Sequence, residues 1–334
     1  MSNPPRPYPW TVEQWTQLQR RRQQHQLPHA LLLAGPEGLG KTQFAQDLAQ
    51  SLLCEHPTAD GMPCQTCRSC ARFAAATHPD MFVVEPEEPG KAIKVDQIRE
   101  LISQFALATH QGGYRIAILQ PANQMNLAAA NSLLKTLEEP PPDSLLLLIS
   151  ASPSLLPATI LSRCQRLDFL PPSHDQALNW LLQQHAIPVD QAEALLALAY
   201  DAPLSALSLQ QGVELDARQR LFHSFMAIAQ GHSPLAQLDP WLKLALPTPI
   251  QWLSSWINDL IRLKSGQTAA LRNRDLREGL QNLAQRVDLL GLFAFLDELN
   301  TILRLQRSPL NAQMLMEGVL LQWQTLNSGK ANDK

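Results

Sequence analysis

The segment Gly35-Pro36-Glu37-Gly38-Leu39-Gly40-Lys41-Thr42 matches the phosphate-binding pattern G-x-x-x-x-G-K-[ST] in full. Its glycines allow the backbone to wrap a phosphate so that successive N–H groups point inward. Lys41 is placed to reach the β- and γ-phosphates, and Thr42 to hold Mg²⁺. A helix starting at this point adds the partial positive charge of its N-terminus. Gly35, Gly38, Gly40, Lys41 and Thr42 are therefore the candidate nucleotide-binding residues. They fit ATP or ADP with Mg²⁺.

A second constellation follows. Cys54, Cys64, Cys67 and Cys70 are spaced C-x9-C-x2-C-x2-C, which gathers four of the chain's five cysteines into one short stretch. Two C-x2-C steps sharing Cys67 can bring thiolates around one tetrahedral ion, so the expectation is a closed, structural Zn²⁺ site. Arg68 and Arg72 are the only nearby basic residues, and no aromatic residue is interleaved with them in the manner of a nucleic-acid finger. The fifth cysteine, Cys164, is expected to be a small core side chain rather than a ligand.

One absence is as informative as these motifs. Hydrolysis at a phosphate loop needs acid at the end of a neighbouring strand to hold the metal. The candidate strand, Arg115 to Leu119, is followed by Gln120-Pro121-Ala122-Asn123, and no Asp or Glu occurs from Leu101 to Leu137.

The elements that must position these residues can be read from the apolar pattern. Short buried runs at 29–34, 81–84, 115–119 and 145–149 predict strands. Helical spacing predicts helices over 41–53, 95–106 and 127–137, the last closed by Pro140–Pro142. Strands alternating with helices imply a parallel sheet covered on both faces. After Phe169 a Leu-Pro-Pro-Ser linker, with Ser173 as a possible helix cap, leads into a second half that reads as helical throughout. Its segments fall near 174–185, 190–199, 203–211, 216–230, 249–265, 275–285, 288–305 and 310–326.

Composition sets limits. With 334 residues, 45% of them hydrophobic, the chain can build two or three cores. A net charge of −3 provides no general field toward nucleic acid, and Arg20–Arg22 is read as a solvated helix face. No leader pattern or membrane-spanning apolar stretch is seen, so a cytoplasmic location with reduced thiols and no membrane partner is expected.

Leu133-Leu134-Lys135-Thr136-Leu137-Glu138-Glu139-Pro140-Pro141, followed by Thr159-Ile160-Leu161-Ser162-Arg163-Cys164, resembles bacterial clamp-loader AAA+ subunits. The four-cysteine knuckle after the phosphate-loop helix fits the same family. The resemblance implies that Arg163 is an arginine finger inserted into a neighbouring subunit's ATP site. Gamma/tau motor subunits carry Asp-Glu where this chain has Gln120-Pro121, and a sensor arginine where it has Leu204. Losing those while keeping the finger is similar to the delta-prime branch, as are Tyr8-Pro9-Trp10 and Pro28-His29-Ala30-Leu31-Leu32.

The fold so implied has an α/β AAA+ P-loop domain over 1–169 with the zinc insertion at 54–70. A small helical lid domain at 170–212 and an all-α collar domain at 213–328 complete it. The partners implied are gamma/tau motor subunits and a delta subunit in a hetero-pentamer, the sliding clamp, and primed DNA reached through the complex. The complex would serve a DNA-directed DNA polymerase, a nucleotidyltransferase, while this chain would not polymerise and would have little or no ATPase. An active gamma/tau-like motor is the alternative.

Overall fold

The apolar run Ala30–Ala34 forms a strand, β1, that is buried at every position. A strand of this composition needs cover on both faces, and it receives it. Leu32 and Ala34 face one core with Leu146, Leu148, Ala117 and Leu119. Leu31 and Leu33 face the other with Leu145, Leu147, Ile116 and Ile118. This is the period-2 alternation of a pleated strand, hidden in the sequence because both faces are apolar.

The computed structural model describes residues 7–88, 90–106, 113–185, 187–212, 214–267, 271–305 and 311–328. Two compact units are present: Met1–Trp180 with Ala202–Ser205, and Leu181–Asp201 with Ala206–Lys334. The first holds a five-stranded sheet in the order β2-β3-β4-β1-β5, with every pair parallel. The other strands are β2 (Met81–Val84), β3 (Arg115–Leu119), β4 (Ser144–Ser150) and β5 (Gln165–Asp168).

The helices α1 (Val12–Gln23) and α2 (Lys41–Leu53) cover one face through Trp15, Leu18, Phe44, Leu48 and Leu52. Between α2 and β2 sits the short α3 (Arg68–Ala74). On the other face lie α4 (Val95–Phe105) and α5 (Leu127–Glu138), which bury Ile98, Leu101, Phe105, Leu133 and Leu137. The short α6 (Ala158–Leu161) precedes β5. Asp80 and Arg115 form an ion pair at 3.3 Å at the start of β2 and β3, each side chain only 3% exposed.

Beyond Phe169 the described residues are helical, as the sequence predicts: α7 (His174–Gln184), α8 (Val189–Leu198), α9 (Pro203–Gln211), α10 (Glu214–Ala229), α11 (Asp239–Leu242), α12 (Pro247–Lys264), α13 (Arg277–Ala284), α14 (Leu289–Leu305) and α15 (Ala312–Ser328). Ser173 caps α7, its Oγ accepting the Gln176 N–H at 3.3 Å. No single helix among the described residues is long and apolar enough to cross a membrane.

The second unit closes around aromatic side chains. Trp323 of α15 stacks on Phe225 of α10, with ring centroids 4.1 Å apart and planes at 12°. Its Nε1–H donates to the Phe225 carbonyl at 3.0 Å. Trp256 and Phe295 complete the cluster, all four fully buried. Removing the indole leaves a large void, so Trp323→Ala should cost about 3–5 kcal/mol. A lowered urea midpoint for the helical unit, followed by far-UV circular dichroism, is the measurement.

Candidate functional site

All five strands run in one direction, so their C-terminal ends share one edge of the sheet, where ligands of open α/β sheets bind. The phosphate-loop residues lie there. Gly35 follows β1 with φ 149°. A Cβ on it would stand 2.1 Å from the Phe169 carbonyl oxygen, so only glycine fits. Gly38, at φ 73°, is pressed by Ser205, and its carbonyl accepts the Leu204 N–H at 3.1 Å. Lys41 opens α2 and turns back over the loop. Its Nζ donates to the Gly35 carbonyl at 2.7 Å and to that of Pro36. These carbonyls hold the ammonium where a phosphate would meet it.

The loop opens on a cavity of about 910 Å³, lined by Glu37, Lys41, Thr42, Glu85, Gln120 and Leu204 among others. Tyr8 also reaches it. Tyr8 stacks on Trp10, and the Trp10 Nε1–H donates to the Leu39 carbonyl at 3.0 Å, tying this segment to the loop. Gln120, Pro121 and Leu204, the three departures from the motor-subunit pattern, thus all line the cavity that the phosphate loop faces. Sequence reasoning missed Glu85. It lies 35 residues before Gln120, and no spacing rule connects them, yet its carboxylate accepts a hydrogen bond from Gln120 Nε2.

The four cysteines converge. Cys54 ends α2 and Cys67 caps α3, its sulfur accepting the Cys70 N–H at 3.3 Å. The Cys64 N–H donates to the Cys54 sulfur, and the Cys67 N–H to the Cys64 sulfur, each at 3.3 Å. All four sulfurs lie within 4.8 Å of one another. Around a tetrahedral ion with ~2.3 Å bonds, sulfurs sit ~3.8 Å apart, and Cys54 and Cys67 are 3.9 Å apart. Burial pushes the Cys54 and Cys70 thiols up, whereas the Thr66 N–H draws Cys64 down to about 6. A set so arranged can hold one metal ion, whose charge offsets the thiolates. The module is pinned to α1, because Trp15 Nε1–H donates to the Asp60 carbonyl at 3.0 Å. Cys164 lies apart from it, packed against the sheet core, and burial lifts its thiol to about 12.

Arg163 follows α6 on the surface, its side chain 34% exposed. Its Nε and Nη2 donate to one oxygen of Glu138, at 2.9 and 2.6 Å, and its Nη1 to the Thr159 carbonyl at 3.0 Å and Ser162 Oγ at 3.1 Å. The fork is thus engaged within its own chain. Glu138 sits at the C-terminal end of α5, where the helix dipole disfavours a carboxylate, and the guanidinium compensates for that placement.

Known proteins resemble this chain along most of its length. The family described as "DNA polymerase III, delta subunit" matches residues 10–173, and "DNA polymerase III, delta subunit, C terminal" matches residues 213–325. DNA polymerase III subunit delta' of Pseudomonas aeruginosa is 38% identical over 329 residues, 96% of this chain and 98% of that protein. The subunit delta' of Escherichia coli is 30% identical over 320 residues, 94% of each. DNA polymerase III subunit tau of Bacillus subtilis is 35% identical over 152 residues, 46% of this chain but 26% of its own length.

Lys41 supplies a pH test of the site. Burial lowers its ammonium pKa from 10.5 to about 8, against a smaller raising effect of Glu37. The unfolded chain then holds this proton more tightly than the folded one. The cost of burying the charge is present in full below about pH 8 and is relieved as pH climbs from about 8 toward 10.5. Stability of the wild type relative to Lys41→Met should therefore rise over that window. Denaturant midpoints of both proteins at about pH 7, 9 and 10.5, which span that window, measure it.

Proposed function

The chain belongs to the delta-prime family of DNA polymerase III subunits, and from that premise we propose that it is the stator of a clamp loader. In this reading residues 1–169, 170–212 and 213–328 are the AAA+ domain, the lid and the collar. The collar assembles with gamma/tau motor subunits and a delta subunit into a hetero-pentamer that opens the sliding clamp and places it on primed DNA. Gly35, Gly38, Gly40, Lys41 and Thr42 bind ATP or ADP with Mg²⁺, Cys54, Cys64, Cys67 and Cys70 hold a structural Zn²⁺, and Arg163 completes a neighbour's ATP site.

The observation that carries this reading is the end of β3. Where a hydrolysing P-loop subunit needs carboxylates to hold metal and polarise water, this chain offers the Gln120 amide and the Pro121 ring beside its phosphate-loop cavity. Leu204 adds an apolar wall where a motor subunit has an arginine. A chain so equipped contributes to turnover through a group it lends. Arg163 suits that role, because a guanidinium is always charged and its fork of donors matches phosphate oxygens. Charge spreads over the γ-phosphoryl oxygens in the transition state, so a positioned arginine stabilises that state more than the ground state.

Two outcomes are expected. The isolated chain should turn over ATP at a trace rate at most. In a reconstituted complex Arg163→Ala should lower clamp- and DNA-stimulated ATPase without loss of assembly. At one site an arginine finger contributes on the order of 10³–10⁵ in rate, but the total falls only partly, because other sites have other fingers. Arg163→Lys should rescue poorly. Unchanged rates in an intact Arg163→Ala complex would sink the finger assignment, and turnover near ~1 per second by the isolated chain, an ordinary enzyme rate, would sink the stator reading. Separately, elemental analysis should find one zinc per chain, and Cys67→Ser should lose it and lower the melting temperature of the α/β unit, since structural zinc contributes ~10 kcal/mol or more of apparent binding energy in small modules.

A further inference from the structure

Glu138 and Arg163 are 25 residues apart and come from different elements. Glu138 is the last residue of α5, and Arg163 lies two residues beyond the short α6. Apolar packing brings the two elements together, because Leu133 and Leu137 of α5 and Ile160 of α6 are buried in one core. That core holds both backbones whether or not the side chains touch. The pair itself lies at the surface, the arginine 34% and the glutamate 51% exposed, where an ion pair adds little stability.

A carboxylate is also poorly placed there. The C-terminal end of a helix carries partial negative charge, which suits Lys135 in the last turn of α5 and opposes Glu138. The contact is nevertheless close. Arg163 Nε and Nη2 both donate to one Glu138 oxygen, at 2.9 and 2.6 Å. The other acceptors on the fork, the Thr159 carbonyl and Ser162 Oγ, are neutral and belong to the arginine's own turn. Glu138 is the charged partner that reaches Arg163 from another element, and fold stability does not account for it.

We infer that Glu138 restrains Arg163, holding its guanidinium inside its own chain until the terminal phosphate of a neighbouring subunit's ATP takes the carboxylate's place. This rests on the reading of Arg163 as an arginine finger. The Nε and Nη2 edge is one that can meet phosphate oxygens in a two-pronged grip, and while it is turned to Glu138 it cannot do so. A γ-phosphoryl group offers three oxygens and more negative charge than one carboxylate, so it can displace Glu138 where water and neutral acceptors cannot. Glu138 is then a positioning residue that acts through Arg163, and it withholds the fork rather than aims it.

The test is ATP turnover by the reconstituted complex, stimulated by clamp and DNA. It is made with the wild-type chain, Glu138→Gln, Arg163→Ala, or both changes together. The part of kcat/KM that Arg163 supplies is the difference between a complex and its Arg163→Ala counterpart. A restraint present in the free complex and broken in the transition state lowers kcat/KM whichever step breaks it. Glu138→Gln should therefore raise the Arg163-dependent part by about 1.4- to fivefold, the range of an exposed ion pair. Glu138→Ala should raise it as well, and neither change should lower the melting temperature of the chain. In the Arg163→Ala background Glu138→Gln should alter nothing. If Arg163→Ala lowers turnover but the Glu138 variants leave the Arg163-dependent part unchanged or reduce it, this inference is overturned and the finger assignment stands. A rise that survives Arg163→Ala overturns it too, because Glu138 would then act elsewhere. Turnover that ignores Arg163→Ala in an intact complex removes the finger reading, and this inference with it.

Discussion

Parallel register in one sheet is the constraint on which everything else in the first unit depends. Leu31 to Ala34 lie opposite Leu147 to Ser150 on one side and Gln165 to Asp168 on the other. Because no strand is reversed, the chain leaves the sheet at one edge each time, and residues distant in sequence arrive together. Phe169, one step past β5, donates its N–H to the Ala34 carbonyl at 2.7 Å and brings its own carbonyl against Gly35. A slip of one residue in any strand would turn its core side chains to the opposite face. It would also displace the groups at the strand end. Packing and chemistry are thus secured by the same hydrogen bonds.

Lys41 at that edge and Arg163, two residues before β5 begins and so at the opposite edge, are each given a partner within the chain that an incoming ligand could replace. Lys41 rests on the Gly35 and Pro36 carbonyls, and Arg163 on Glu138. The neutral Gln120 amide at the strand-end edge is satisfied at its nitrogen and not at its oxygen. By contrast, the buried pair of Asp80 and Arg115 lies at the opposite ends of β2 and β3, where it helps to start the strands and leaves the cavity alone.

Much of this was legible in the sequence, for identifiable reasons. The strands Met81–Val84 and Arg115–Leu119 and the helix Lys41–Leu53 stand as the apolar pattern predicts, because burial on a recurring face leaves a period. The cysteine cluster was legible because its ligands are close in sequence. β5 was not, since Gln165-Arg166-Leu167-Asp168 is an edge strand with one buried residue and no apolar run to betray it. Of α1 only the run Arg20–Arg22 was legible as a helix face, because the polar residues of the helix outnumber the two it buries, Trp15 and Leu18. The contacts of Glu85 with Gln120 and of Glu138 with Arg163 were hidden for another reason. They are created by strand register and by the packing of α5 against α6, and sequence spacing carries no trace of either.

Both ends of α2 are fastened. Its first residue, Lys41, belongs to the phosphate loop, and the residue after its last, Cys54, belongs to the sulfur cluster. Thirteen residues at ~1.5 Å each make a rod of about 20 Å, bolted to the sheet along its length by Phe44, Leu48 and Leu52. In mechanical terms α2 is a strut clamped at both ends. Ordinary helices loosen from their last turn inward, but here that turn is gripped by the cysteine module, which is itself tied to α1. Stiffness installed at the cluster is delivered to the far end of the strut, so the inserted knuckle acts as ballast for a loop it never touches.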